Sequence, residues 1–229
     1  MIRIRTTFYA ALLGAAYLAG CSETGALGRM SLLQNQETSE ALILASTRLA
    51  GNAITVTGPD GYCIDPATMR STANSGFAAL ASCHIMSGGQ SGPIVEPMLI
   101  TVTVSPASGP APNPAELAQA LGTTLLQNRE LSALDLGQMA TGGEVAFSGS
   151  DPKHWRGAFV LGPHMIGVTL YAPTDSPLLG AQGAAFVNTV SSAIRANAKL
   201  DASARAEQSQ SSLDPLAMRL GRLFASNDL

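Results

Sequence analysis

The sequence predicts an α+β fold: an antiparallel sheet of about six strands covered by two main helices, plus a C-terminal amphipathic helix. Three observations predict this class. Short segments of alternating β-branched and small residues, typical of strands, are separated by turns rich in glycine and proline. Two longer segments repeat apolar residues every four positions, as helices that bury one face do. The order of strands, helix, three strands and helix favours an α+β sandwich.

The N-terminal half supplies the first strands. Residues 41–45 fit either a helix or a first strand. Residues 53–57 alternate β-branched and small side chains and predict a strand, and residues 58–61 (Gly-Pro-Asp-Gly) predict a turn after it. Residues 62–64 return to extended chain. Residues 76–83 form a short apolar run, which predicts a core strand ending in a cysteine.

The middle of the chain contains the clearest strand and a well-signalled helix. Residues 98–104 combine alternation with β-branched side chains. A helix is predicted from Pro114, because Asn113 can cap it and proline is accepted at the first helical position. We expect its buried face to contain Leu117, Leu121 and Leu125.

The second half predicts three more strands and a second helix. The strands cover residues 144–147, 155–161 and 165–171, and the Gly-Pro-His segment 162–164 gives the last two a hairpin spacing. The helix covers about residues 179–196, and its repeating apolar residues are Phe186, Val190 and Ile194.

The C-terminal segment changes in composition. Residues 197–212 are polar and predict a linker or a frayed extension of the helix. Apolar residues then recur at helical spacing over residues 213–224, and Leu216, Leu220 and Phe224 are candidate partner-binding residues. This amphipathic helix can dock on its own domain, bind a partner or lie on a membrane. With about three turns it needs some surface, because short isolated helices are marginal in water.

The N-terminus indicates export. Arg3 and Arg5 precede a short apolar run over residues 8–17, which is too short to span a bilayer. The following Leu18-Ala19-Gly20-Cys21 resembles the lipobox of bacterial lipoproteins. The resemblance implies that Cys21 receives a diacylglycerol and that the chain is cut before it. Ser22, in place of the aspartate that commonly retains lipoproteins in the inner membrane, favours the outer membrane. An ordinary secretory signal is the alternative.

Four segments are therefore predicted along the chain. Residues 1–20 are a lipoprotein signal peptide, and residues 21–50 are a lipid-anchored tether with an N-terminal segment. Residues 51–198 are the α+β domain. Residues 199–229 are a linker and the amphipathic helix.

Composition excludes some partners. The chain has a formal net charge of −3, and Lys153 and Lys199 are its two lysines. It therefore lacks the basic surface that nucleic acid or an anionic membrane would require. We expect contact with the membrane through the N-terminal lipid, an envelope protein as a further partner, and no nucleic acid.

The two remaining cysteines predict a disulfide. Cys63 and Cys83 form an even pair in a chain predicted to enter an oxidising compartment. The alternative is a metal or redox pair, which usually has a C-x-x-C spacing or neighbours that stabilise a thiolate. Only His84 lies nearby in the sequence.

A weak motif adds a family resemblance. The segment Gly58-Pro59-Asp60-Gly61-Tyr62 after a strand resembles the Pro-x-Gly-aromatic step of Mog1/PsbP-like proteins, as does the order of elements. The resemblance implies an antiparallel sheet covered by helices and a role in assembly, without catalysis. Residues 58–65, Cys83 and residues 154–159 also resemble uncharacterised alphaproteobacterial exported proteins, whose activity is unknown.

The segments that could carry catalysis or bind a metal match known motifs only incompletely. Gly89-Gln90-Ser91-Gly92-Pro93 superficially resembles the nucleophile segment of trypsin-like proteases, but it lacks the acidic residue before the serine and the second glycine. We expect a flexible surface loop. His154 and His164 with Asp151 or Glu144 match no compact zinc motif, so we expect neither a metal nor another cofactor.

The densest polar and aromatic cluster, residues 151–156, contains the single tryptophan. Trp155 and Arg156 are candidate partner-binding residues, since such side chains often anchor interfaces. The alternative, which we favour for Trp155, is packing in the core.

The resulting hypothesis is a non-enzymatic, lipid-anchored periplasmic accessory or binding protein. The second hypothesis is a small hydrolase or metal-dependent enzyme with a site around His84, Ser91 and His154.

Overall fold

The protein has an α+β fold, as the sequence predicts. A computed structural model describes the backbone of residues 43–225 and the side chains of residues 43–203. The predicted signal peptide, Cys21 and the tether lie outside the described residues, as do the side chains of Leu216, Leu220 and Phe224.

Ten strands and three helices make up the described chain, with every strand pair antiparallel. The strands are β1 (Ser46–Leu49), β2 (Ile54–Thr57), β3 (Tyr62–Ile64), β4 (Arg70–Ser71), β5 (Gly76–Ser82), β6 (Leu99–Pro106), β7 (Leu125–Glu130), β8 (Asp135–Met139), β9 (His154–Leu161) and β10 (His164–Tyr171). The helices are α1 (Cys83–Met86), α2 (Pro114–Leu121) and α3 (Ala181–Ala225), and a 3₁₀ turn covers Pro177–Leu179.

The strands form one large sheet and one hairpin. The large sheet has the order β3-β5-β6-β10-β9-β8-β7, and β4 pairs with the end of β5. Strands β1 and β2 pair only with each other in the described chain. Their hairpin joins the folded region through Leu49, which is fully buried, so this region begins before residue 51, where the predicted domain starts.

The two longer helices lie on opposite faces of the large sheet. The Gln138 side chain donates from Nε2 to the Leu179 carbonyl, 2.6 Å away, on the side of the 3₁₀ turn and α3. A Cβ added to the neighbouring Gly137 would lie 2.9 Å from the Pro114 Cβ of α2. Successive strand residues point to opposite faces, so α2 and α3 cover different sides.

Helix α2 begins as predicted but buries a different face. Asn113 accepts hydrogen bonds from the backbone N–H groups of residues 115 and 116, and the Glu116 carboxylate accepts one from the Asn113 N–H, which completes a capping box. The predicted leucine face is wrong at Leu121 and Leu125, whereas Leu117 is half-buried. Pro114 and Ala118 are the buried residues, Leu121 is exposed, and Leu125 already belongs to β7.

Six predicted strand segments are confirmed, corresponding to β2, β3, β5, β6, β9 and β10. The strand predicted over residues 144–147 is wrong, because this segment forms turns and bends. Ser150 Oγ donates to the Gly143 and Phe147 carbonyls, and the Glu144 carboxylate accepts from the Gly142 N–H. These local side-chain bonds to the backbone take the place of pairing with a neighbouring strand.

Helix α3 is longer than predicted. Its buried residues Ala184, Val187, Val190 and Ile194 pack on the large sheet and the β1–β2 hairpin, in agreement with the predicted apolar face at Val190 and Ile194. Phe186 is partly buried and meets the Tyr62 ring edge-on, with centroids 4.9 Å apart. The helix continues to Ala225 through residues 197–212, in agreement with the second of the two predictions for that segment, a linker or an extension of the helix.

Candidate functional site

The predicted site residues lie along one end of the large sheet. His84 follows the C-terminal end of β5, and His154 begins β9. The strand registers place Leu99 of β6 and Tyr171 of β10 at the same end. The Cys63–Cys83 disulfide, which confirms the predicted pairing, ties β3 to α1 there.

The structure does not bring the three proposed catalytic side chains together. Strands β5 and β9 are separated by β6 and β10, which puts them about 14 Å apart. Ser91 is exposed, and its backbone N–H donates to Ser87 Oγ. Within residues 43–203, no hydrogen bond joins any two of His84, Ser91 and His154. This geometry offers no pair that could transfer a proton.

Trp155 is part of the core, as favoured from the sequence, so of the two alternatives the partner-binding patch is wrong for this residue. It has no exposed surface, and the Arg129 guanidinium lies 5.7 Å from its ring centroid. Arg156 points to the other face of β9 because strand side chains alternate, and it is half-buried. Arg156 alone of the two stays a candidate for contact with a partner.

His154 is built into a buried stack. Its ring lies on the Tyr171 ring with centroids 5.2 Å apart, and its Nδ1–H donates to the Pro152 carbonyl at 3.3 Å. Burial lowers the pKa of His154 below its usual 6.5. The nearby Arg156 charge lowers this pKa further, whereas the hydrogen bond to the Pro152 carbonyl raises it. Burial therefore favours the neutral form of the imidazole, and the bond from Nδ1 joins the ring to the loop before β9.

An apolar groove of about 230 Å³ lies beside α1. Ile85, Met98 and Phe147 contribute its largest side chains, and Val145, on the same loop as Phe147, is 84% exposed. Such a surface can receive apolar side chains, although it has no polar group suited to catalysis. The sequence analysis did not predict this groove, because residues 144–147 resemble a strand. In the structure they form a loop that places Phe147 beside Ile85 of α1.

Two features concern the part of the chain that the structure describes, residues 43–225. No cluster of three or more His, Cys, Asp or Glu side chains there could hold a metal ion. Across the same residues, no helix is both long and apolar enough to cross a bilayer.

Comparison of the chain with protein-family models, with curated proteins and with solved structures finds no match in any of the three. The resemblance to Mog1/PsbP-like proteins therefore stays a prediction from the sequence.

Proposed function

We propose that this chain is a non-enzymatic, lipid-anchored protein of the bacterial envelope that faces the periplasm and binds a partner protein through the C-terminal part of α3. The observation that supports it best is the continuity of α3 from Ala181 to Ala225. An accessory role also agrees with the resemblance to Mog1/PsbP-like proteins.

The proposed location depends on the N-terminal motif and on the disulfide. Leu18-Ala19-Gly20-Cys21 supplies the acceptor for a lipid, and Ser22 favours the outer membrane. The Cys63–Cys83 bond suits an exported protein, because stable disulfides persist in oxidising compartments.

Asp201 is the most C-terminal residue of α3 with a described side-chain contact to another element. Its carboxylate accepts hydrogen bonds from Thr55 of β2 and Arg48 of β1. One turn earlier, Asn197 donates to the Thr57 hydroxyl, 3.2 Å away. These contacts hold this part of α3 on the β1–β2 hairpin.

Beyond Asp201 the helix continues for roughly 36 Å, at a rise of about 1.5 Å per residue. Leu216, Leu220 and Phe224 follow in its sequence at intervals of four, so they share one face of the helix. Docking of this segment on its own domain stays the alternative prediction, which the truncation below also tests.

Charge favours a protein over a membrane surface as the partner of this segment. Residues 202–225 contain three arginines and two acidic residues. Helices that bind anionic lipid surfaces usually carry a larger excess of basic residues on their polar face. An apolar stripe with little net charge suits a groove or a helix on another envelope protein.

The test is crosslinking in intact envelopes followed by mass spectrometry. Full-length protein is compared with a chain ending at Ser203, which keeps Asp201 and its bonds to the hairpin. A second comparison uses L216S/L220S. The matched control is L200S, because Leu200 is an apolar residue of α3 that is already 68% exposed on the folded part.

We expect one protein to be crosslinked to the full chain and to the L200S variant, and to be lost from the truncated chain and from L216S/L220S. Capture of the same protein by all four versions would place the contact elsewhere on the domain. If the truncated chain and L216S/L220S lost crosslinks to lipid but none to protein, the result would support the membrane alternative. The absence of specific crosslinks to any protein would contradict the proposal.

A further inference from the structure

A second cavity, of about 320 Å³, lies at the opposite end of the large sheet from His154. Strand register places its components together, because His164 of β10 pairs with Pro106 of β6 and with Leu161 of β9. The turn of the β1–β2 hairpin closes one side. Three alanines, two prolines, Asn74 and His164 line the cavity.

His164 has no described partner for one of its ring nitrogens. The residue is 7% exposed, and Nδ1 is buried without a hydrogen bond to any residue in the described part of the chain. Ile166 and Val168, which follow on β10, are fully buried, so His164 begins a strand that is otherwise anchored in the core. A buried polar atom loses water without compensation unless something in the cavity bonds to it.

The backbone beside the same cavity is strained. Ala50 has a φ of 51° and Asn52 has a φ of 68°, on either side of Gly51. Alanine rarely adopts this left-handed region, because its Cβ approaches the backbone carbonyl oxygen. Strained residues persist where the surrounding structure holds them, often at binding sites. Ala50 lines the cavity, is almost fully buried, and accepts a hydrogen bond on its carbonyl from the Ala53 N–H.

The lining indicates the chemistry of a ligand. The alanine methyl groups and proline rings form apolar walls. Asn74 offers a side-chain amide that can donate and accept, and a neutral imidazole can do either at Nδ1. No acidic side chain, lysine or arginine is among the residues that line the cavity. A volume near the lower end of the usual range for ligand sites suits a small molecule.

We propose that this cavity binds a small uncharged molecule that presents an amide or hydroxyl group to His164 and Asn74 and an apolar portion to the alanine and proline walls. The hydrogen bond to Nδ1 would satisfy the buried imidazole. Among the described residues, none of α3 lines the cavity, and the proposal does not depend on the proposed partner.

The experiment is NMR titration of the isotopically labelled full chain with three probes. N-Acetylglucosamine carries both an amide and hydroxyls, acetamide carries only the amide, and glucose carries only hydroxyls. The readouts are the His164 ring nitrogens and the backbone amides of Ala50 and Asn74. Binding of acetamide without glucose assigns the amide, and binding of glucose without acetamide assigns the hydroxyls.

We expect saturable shifts at these three residues with N-acetylglucosamine. N74A should weaken binding by up to about tenfold, as expected for one lost hydrogen bond. A73L, on the exposed edge of the cavity, should block binding without removing a polar group, and H164F should abolish it. The matched control is H84Q at the other end of the sheet, which should bind as the unchanged chain does.

Failure of all three probes to give saturable shifts would overturn the proposal, and a bound water on Nδ1 would then account for His164. Shifts that persist unchanged in both A73L and H164F would overturn it as well. Because Asn74 and Ala73 are exposed, their variants remain informative if H164F proves unstable.

Discussion

The hydroxyl of Thr55 donates a hydrogen bond to Asp201 Oδ2 at 2.8 Å, joining the second strand of the N-terminal hairpin to the long C-terminal helix. The Arg48 guanidinium reaches the other carboxylate oxygen at 3.3 Å, from a more exposed position. These bonds hold the helix to the hairpin near the end of the part of α3 whose side chains are described. Their loss should therefore affect the hairpin more than the large sheet.

We expect D201A to lower the free energy of unfolding by about 1 kcal/mol, because it removes one partly buried hydrogen bond and one exposed ion pair of small value. D201N keeps an acceptor for Thr55 and should lose less. Urea denaturation measures both. Equal losses in D201A and D201N would assign the effect to the charge and contradict the importance of the Thr55 bond.

Replacement of the disulfide should destabilise the domain. With a sequence separation of 20 between Cys63 and Cys83, the chain-entropy model predicts a loss of roughly 3 kcal/mol. C63S and C83S should lower the melting temperature by similar amounts, and C63S/C83S should be no worse than either. Calorimetry of the three variants measures this. Additive losses in the double variant would mean that the two cysteines act independently.

Stability should fall in mild acid because of His154. Burial holds its pKa below 6.5, so the folded state binds a proton less readily than the unfolded chain. The stabilisation is present above about pH 6.5 and is lost as the pH falls from there towards the lower folded pKa. Melting temperature measured across this interval should therefore drop more steeply for the unchanged chain than for H154Q.

Y171F is the matched control for this pH effect, since it keeps an aromatic ring against His154 and leaves the imidazole able to titrate. Its melting temperature should show the same dependence on pH as that of the unchanged chain. If H154Q retained the full dependence, another group would be responsible.

Lipid attachment at Cys21 should account for membrane association. C21A should move the protein from the membrane to the soluble fraction, because the acyl acceptor is lost. Carbonate extraction and fractionation measure this. S22A is the control and should stay with the membrane, whereas S22D should shift towards the inner membrane. Retention of C21A after carbonate washing would show that another segment anchors the chain.

The strands that the sequence predicts correctly are those in which side-chain alternation matches burial. In the hairpin of His154–Leu161 and His164–Tyr171, buried and less buried residues largely alternate. The neighbouring strands Leu125–Glu130 and Asp135–Met139 were not predicted. Leu125–Glu130 is an edge strand of mostly polar residues, and Asp135–Met139 contains Gly137, which weakens the strand pattern.

Gly137 shows why the strand Asp135–Met139 could not be predicted from the sequence. Any Cβ there would lie within 3 Å of Pro114 and Leu125 atoms, so the glycine serves the close approach of the short helix to the sheet. A glycine with that role cannot be distinguished by local pattern from one that marks a turn. The partners lie 23 and 12 residues away in the sequence.

The candidate sites were less predictable than the strands. Trp155 and Arg156 are adjacent in the sequence and both belong to side-chain types that anchor interfaces. Alternation along the strand buries Trp155, as favoured from the sequence, and leaves Arg156 half-exposed. The sequence places His164 in the turn between the last two predicted strands. It is instead buried against a cavity that residues from three distant segments enclose.

Local order along the chain was enough to determine the α+β class, the capped start of the short helix and most of the strands, because hydrophobic period and cap chemistry act over a few residues. The Cys63–Cys83 pair followed from the number of cysteines. Only the tertiary structure decided which face of a strand is buried, which glycine lies beneath a helix and where an unpartnered imidazole meets a cavity. These features depend on contacts between residues far apart in sequence, and local propensity carries no information about them.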